Sequence, residues 1–500
     1  MRKVFYSNFD LENIENIVNS LKGKKEYICT IPFYDSVSEI LISKVVYELL
    51  NESGFEDFNQ AISIIINELL KNSNKINIKN IFFKESNTNL EDIAKSKEAD
   101  QMFSFKDYYN KFMLNVSDRD KSEYIKIIIN IDKDYFNLSI LNSGTLLDWQ
   151  LEEINTSIKY ANRFNNLNEI FQDDKDISQN DNFGIIFSTL MLKNINIDSR
   201  ALDIKRHDGY TDTTLTLPLK RLKDVHGDRV TEEIIKEISV LPQFPDSIMK
   251  LQKEIMDPEW NYDRITDYIL SDSALTAEIL RLVNSPVYRP SSRIDKVSIA
   301  VKKIGINGLK AILYNFGSFK VLSSKYDIDK INQYKEHLFQ VALISSYLAN
   351  MVGLDEFSED IYVAALMHDI GKIIVNALNP ELEDGIMKLS KDRMIPTDVI
   401  DNLSDGYNHS IIGSKLIEKW NFPKKYIEAI KHHHTPLKVD DEYKIITFCV
   451  YLGNQIPQVH GEKRKFSSIE NKVLKFFKIN TIQDFNNLLT KLENSGIFFT

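Results

Sequence analysis

Apolar residues recur along this chain at two different spacings, and the balance between them shifts near residue 220. Residues 1 to about 220 mix helix-like and strand-like runs, whereas residues 231 to about 460 read almost wholly as helices joined by short turns. In the first region Ile62, Ile65, Ile66, Leu69 and Leu70 build one face of a helix over Phe58–Asn74. Ile76–Phe83 follows as a candidate strand. Tyr124–Ile131 and Phe136–Leu141 flank Asp132-Lys133-Asp134, a pattern that predicts antiparallel strands joined by a turn. The Asn- and Asp-rich stretch Asn162–Asn182 predicts a long, lid-like loop, and Gly184–Leu192 a helix. Ala201–Lys205 with Thr213–Leu219 predicts a closing hairpin. A sheet covered on one face by helices is the expected result.

In the second region Leu275, Ile279, Leu282 and Val283 keep helical spacing, as do Val297, Val301 and Ile304. Pro242, Pro245, Pro258, Pro286 and Pro290 divide the run into short helices, because proline removes a helical hydrogen bond. The charged segment Lys220–Arg229, with Gly227, marks the boundary. The expected organisation is an extension of helix and strand over 1–54, an α/β domain over 55–219 and a linker over 220–230. An all-helical domain over 231–464 and a helical extension over 465–500 complete it.

Composition narrows the function. A net charge of −10 argues against a nucleic-acid grip as the main task, since phosphate binding needs concentrated basic surface. Cys29 and Cys449 are the only cysteines, which excludes a disulfide framework or a Cys-rich zinc site and fits a reducing compartment. Neither the N-terminus nor any later run reads as a signal peptide or a membrane span, so the expectation is a cytoplasmic protein with no membrane partner.

The histidines carry the first chemical signal. Of nine, six fall between residues 337 and 434. His337 precedes the stripe Val341, Ile344, Leu348 and Met351, and His368 lies on the apolar face that includes Ile361, Ala364 and Ala365. His409 heads a stripe of Ile412, Leu416, Ile417 and Trp420, and His433 and His434 close the helix bearing Ile427 and Ile430. A single inward histidine is satisfied by a backbone carbonyl; several turned inward together call for a divalent metal, with Asp369 as a carboxylate ligand. His432 is expected to face solvent.

His337, the string Met367-His368-Asp369-Ile370-Gly371-Lys372, His409 and the pair His433-His434 resemble the ordered ligands of HD-superfamily phosphohydrolases. Upstream, Leu241-Pro242-Gln243-Phe244-Pro245, the run Ser273–Ser285 and the run Ala300–Gly305 resemble the helical half of HDOD domains. The resemblance implies one or two divalent ions held by His337, His368, Asp369, His409, His433 and His434, with Lys372 assisting a phosphate if the domain is an enzyme. Two departures count against catalysis. After His433-His434 the chain reads Thr435-Pro436, without the Gly-Tyr-Pro loop of cyclic-di-GMP phosphodiesterases, and Cys449 and Val450 stand where HD enzymes carry a last aspartate.

In the first region Asn67-Glu68-Leu69-Leu70-Lys71-Asn72-Ser73 resembles the N-box of GHKL-type ATP-binding folds. Asn142-Ser143-Gly144, Asn182-Phe183-Gly184 and the run Gly209–Thr214 follow in the order of that family's nucleotide loops. The resemblance implies a nucleotide site from Glu68, Asn72, Asn142, Gly144, Gly184 and Thr214, with ATP and Mg²⁺ as ligand. Asn142 in place of aspartate and Asn182 in place of glycine weaken it. Residues 1–206 contain no histidine, so this half is not an autophosphorylating kinase by itself. The resulting expectation is a multidomain regulatory protein, a GHKL-like α/β sandwich followed by an all-α HDOD domain, acting on signalling partners with little or no catalysis. The alternative is a metal-dependent phosphohydrolase.

Overall fold

Strands form in the N-terminal half where apolar residues alternate with polar or half-exposed ones, and helices form where they return every three or four positions. The computed structural model describes residues 4–5, 25–55, 58–90, 92–103, 123–174, 177, 180–222, 230–243, 245–257, 259, 261–284, 292–393, 400, 406–461, 466 and 469–497. By internal contacts the chain divides into two units, Met1–Gly227 and Asp228–Thr500.

The first unit contains β1 (Val4–Phe5), β2 (Glu26–Ile31), α1 (Ser36–Glu52), α2 (Asn59–Glu85), α3 (Ile93–Met102), β3 (Ile125–Ile131) and β4 (Tyr135–Asn142). They are followed by α4 (Asp148–Asn162), α5 (Leu167–Asp173), α6 (Phe183–Asn194), β5 (Leu202–His207) and β6 (Tyr210–Pro218). The strands form one sheet in the order β1-β2-β3-β4-β6-β5. Strand β1 runs parallel to β2, and the other neighbours are antiparallel. Along β3 and β4 alternate residues are buried, while those between them are half-exposed or, at Tyr135, exposed. Asp132 closes the β3–β4 turn by accepting from the backbone N–H groups of Asp134 and Tyr135, both at 2.7 Å.

Two elements differ from the sequence-based expectation. Ile76–Phe83 is not a strand but the second half of α2. Its buried face mixes Ser73, Asn74, Asn77 and Lys79 with Ile78 and Phe83, so the apolar period is interrupted although the helix is not. The side chains of Asn74 and Asn77 instead bond backbone groups of Tyr34 and Tyr124. Within Asn162–Asn182 the chain forms α5, started by Asn166 accepting from the N–H of Glu169. Residues before 55 supply β2 and α1, and β2 pairs with β3 along its whole length.

The second unit is helical among its described residues: α7 (Glu232–Val240), α8 (Asp246–Met256), α9 (Tyr262–Leu270), α10 (Ser273–Val283), α11 (Val297–Ser323), α12 (Ile328–Met351) and α13 (Ser358–Met367). Then come α14 (Ile370–Leu378), α15 (Pro380–Arg393), α16 (His409–Lys419), α17 (Lys424–Lys431), α18 (Lys444–His460), α19 (Asn471–Phe476) and α20 (Ile482–Asn494). Gly305, at φ +74°, kinks α11, a conformation that favours glycine. Helix α19 packs on α18 through Phe476 and Phe448. Residues 223–229, with Gly227, and Phe244, Pro258, Ser285, Pro286 and Pro290 lie outside the described residues. One stretch, Asp355–Leu378, is by length and composition long and apolar enough to cross a membrane, contrary to the sequence-based expectation, but most of it is buried inside this unit. Each unit buries one cysteine: burial pushes the Cys29 thiol up to about 11 and the Cys449 thiol higher still.

Two close approaches fix the architecture around the polar sites. In the first unit Asn77 Oδ1 accepts from the Gly144 N–H at 2.7 Å and from Asn142 Nδ2 at 3.0 Å. Asn77→Ala strands these buried donors and is expected to lower unfolding free energy by about 1–3 kcal/mol in a denaturant titration. In the second unit α14 crosses α16 at Gly371 and Gly413. A Cβ on Gly371 would overlap the His409 carbonyl oxygen and come within 2.7 Å of the Gly413 nitrogen. Gly371→Ala is therefore expected to cost about 1–3 kcal/mol through forced backbone shift, read from its denaturation midpoint.

Candidate functional site

The helical unit brings six predicted ligand residues together. Helix α13 ends at His368, and the chain turns at Asp369, whose backbone (φ −100°, ψ 11°) leaves the helical range before α14 begins. His337 comes from α12, and His409 is the first residue of α16, where Asn408 accepts from the N–H groups of Ser410 and Ile411. His433 and His434 follow the end of α17. The ligand atoms form two overlapping groups that share Asp369, one with His337 and His368, the other with His409, His433 and His434. Within each group they lie within 4.8 Å of one another.

Asp369, His368, His409 and His433 are fully buried. His337, at 31% side-chain exposure, and Lys372, at 17%, border the open side. Asp369 Oδ2 lies 3.5 Å from His337 Nε2, 3.4 Å from His368 Nε2 and 2.7 Å from Lys372 Nζ. Asp369 Oδ1 lies 3.0 Å from His409 Nε2 and 3.5 Å from His433 Nε2. His409 Nε2 is also 3.0 Å from His434 Nε2 and 3.3 Å from His433 Nε2.

Protonation follows from the carbonyls behind the rings. His368 Nδ1 lies 2.7 Å from the Ala365 oxygen and His433 Nδ1 lies 2.6 Å from the Ile430 oxygen. A carbonyl only accepts, so both Nδ1 atoms carry hydrogen and, in the neutral rings, the Nε2 atoms present lone pairs to the carboxylate. Burial pushes the His433 imidazole down to about 3, and also lowers His337 and His434, which keeps these rings neutral. Burial alone would raise Asp369, but the Lys372 ammonium, 2.7 Å from Oδ2, opposes it, and the carboxyl is held well below the usual range. Lone pairs thus face an ionised carboxylate, and His368 Nε2 and Asp369 Oδ1 have no hydrogen bond. A divalent cation accepts these lone pairs, and the mixed imidazole and carboxylate donors suit zinc, manganese or iron. His432, expected to face solvent, is instead largely covered, at 14% side-chain exposure, and turns aside to Thr435 and Glu428.

On α18, Cys449 and Val450 are fully buried, and no residue from Lys444 to His460 is a carboxylate. Lys372, expected to assist a phosphate, is paired with Asp369. Gly413, which lets α16 approach α14, was not expected from the sequence. Its spacing of four residues from His409 was the one available signal.

The residues expected to bind nucleotide separate into three places. Glu68 and Asn72 of α2 meet Gly184 of α6, where an added Cβ would lie 2.7 Å from Glu68 Oε2 and 3.5 Å from Asn72 Nδ2. Asn142 and Gly144 are tied to Asn77, and Gly144 also accepts from the Thr211 hydroxyl at 2.8 Å. Thr214 falls on the other face of β6 from the buried Thr211 and Thr213, because side chains alternate along a strand, and its hydroxyl faces the Asp203 oxygen. Of the six, Asn72 alone lines the cleft of this unit, which opens to solvent. Residues not expected line it as well: Lys75, Lys79, Asp100, Trp149 and Asp181. Lys79 pairs with Asp100 at 2.5 Å and Lys75 with Asp181 at 3.0 Å.

Residues 241–436 match the HDOD domain family. An uncharacterized protein of Treponema pallidum (strain Nichols) is 24% identical over 454 residues, 91% of this chain and 88% of its own length. The uncharacterized protein YuxH of Bacillus subtilis (strain 168) is 26% identical over 176 residues, 35% of this chain and 41% of its own. A crystal structure of an HDOD domain protein with unknown function from Geobacter sulfurreducens is similar over 53% of this chain and 93% of that one, at 20% identity and a TM-score of 0.43. These matches do not support the ATP-binding resemblance of residues 55–219. The segment from residue 241 to residue 436, which carries the whole His and Asp cluster, is an HDOD domain.

Proposed function

We propose that this is a regulatory, signal-transducing protein whose HDOD domain holds one or two divalent cations at His337, His368, Asp369, His409, His433 and His434. Its output is an interaction with protein partners rather than fast turnover. The observation that carries the cation reading is Asp369, a buried, ionised carboxylate facing imidazole lone pairs on both oxygens. Each buried polar group left without a partner costs about 1–3 kcal/mol, and a cation relieves several at once. Slow or absent hydrolysis is supported by the lack of a carboxylate on α18, which would otherwise orient a metal-bound water.

Metal analysis of the purified full chain is expected to find one to two divalent ions per molecule. Asp369→Ala is expected to lower affinity at least about 10-fold by competition against a chelator. The same metal-loaded protein should leave phosphodiesters and nucleotides essentially unchanged over hours. Rapid turnover of any of them would put the phosphohydrolase reading first, which Lys372, beside Asp369 on the open side, supports.

For the N-terminal unit the proposal is a weak site for an anionic ligand such as Mg²⁺-bound ATP. Lys75 and Lys79 stand one helical turn apart in the cleft and support it, whereas their pairing with Asp181 and Asp100 must be exchanged before a phosphate is held. Calorimetric titration with Mg²⁺-ATP is expected to give a Kd of about 1 mM or weaker. Tight binding would show that the internal pairs are easily displaced.

A further inference from the structure

The His and Asp cluster is joined to α7, the first helix of the helical unit, by residues 406–420. At its start, the Thr231 N–H approaches the Gly406 oxygen at 3.5 Å, and the Tyr407 hydroxyl lies 3.4 Å from Glu233 Oε2. Gly406 has φ +79°, and an added Cβ would lie 2.6 Å from the Thr231 side chain. At its end, Lys419 Nζ donates to the carbonyl oxygens of Ile238, Ser239 and Leu241 at 2.6, 2.9 and 2.6 Å. A cation there meets the negative end of the α7 dipole. Trp420 Nε1 adds a bond to the Pro242 oxygen at 3.1 Å.

Helix α7 is too short to hold itself together in water and buries only Ile234 and Ile238, leaving Ile235 and Val240 more than half exposed. Its order therefore depends on these anchors and on a third, Glu237, which pairs with Lys325 at 2.7 Å and accepts from the Tyr326 hydroxyl at 2.5 Å. Helix α16 supplies the Lys419 anchor at its far end and His409 at its near end, and the Gly371–Gly413 crossing holds it against α14, next to Asp369. With no cation, His409 Nε2 meets two other ring nitrogens and a carboxylate oxygen, an arrangement that one proton cannot satisfy.

We propose that α7 is a detachable strap whose seating on α16 is thermodynamically linked to cation occupancy of the His and Asp cluster. This rests on the reading of the cluster as a cation site. A cation that draws His409 toward Asp369 fixes α16, and a fixed α16 presents Gly406, Tyr407, Lys419 and Trp420 to α7 in one register. Linkage is reciprocal, so releasing α7 weakens the cation by the same factor. The Glu237 anchor belongs to a different part of the unit and keeps the strap from leaving entirely.

Hydrogen exchange of the full chain tests the linkage, comparing chelator-stripped protein with protein loaded with Zn²⁺ or Mn²⁺, the bound metal being measured on the same samples. Amides of residues 232–241 are expected to exchange roughly 5- to 150-fold more slowly when loaded, the usual span for coupled sites, while those of α20 keep their rates. Lys419→Met should remove that protection and weaken the metal Kd by the same factor, and Trp420→Phe should do so in part. If either variant fails to fold, the wild-type comparison decides alone. Metal bound with exchange in α7 unchanged overturns the linkage and leaves the cation site standing. No bound metal overturns both.

Discussion

The helical unit is organised around a buried negative charge. A carboxylate removed from water must be paired or neutralised, and Asp369 stays ionised beside the Lys372 ammonium. That requirement explains features that seem unrelated along the chain. The helix breaks between His368 and Asp369 so that adjacent side chains can face one point. Glycines at 371 and 413 allow two helices to approach until His409 reaches Asp369 Oδ1. Carbonyls of Ala365 and Ile430 orient two rings from behind.

The N-terminal unit handles buried polarity in the opposite way. Around Asn77 its amides and hydroxyls close on one another: Asn77 binds Gly144, Asn142 and the Tyr124 carbonyl, and Thr211 binds Gly144. Its lysines are matched to aspartates across the cleft. Such closure stabilises the fold and leaves less unspent donor capacity for a ligand. The two units thus differ in chemical readiness: in one, lone pairs face each other unsatisfied, and in the other most groups already have partners.

The His and Asp cluster was legible because its residue types are rare in a core and lie on or beside the apolar faces of their helices, which turns them toward one interior. The β3–β4 hairpin was legible because its apolar alternation is clean, and α6 because its run of apolar residues, buried all round, is long enough for a helix. What could not be read were elements whose helical period is interrupted or masked by polar residues. Helix α2 continues past residue 75 with Asn77 and Lys79 among its buried residues, and α5, which buries Leu167, Ile170 and Phe171, lies in an Asn-rich stretch that looks like loop. The face of Thr214 depended on a register of β6 that local sequence leaves open by one residue, and a one-residue slip exchanges the faces. Lys75, Lys79 and Trp149 meet only through tertiary packing.

The two cysteines place one buried thiol in each unit, Cys29 on a strand inside the first sheet and Cys449 in the middle of α18. Burial keeps both protonated, and a protonated, covered thiol reacts slowly with alkylating reagents. The wild-type chain therefore carries its own pair of chemical clocks. Modification at each position proceeds only as fast as the surrounding unit opens, so the opening of the two halves can be timed separately in one sample without introducing a label.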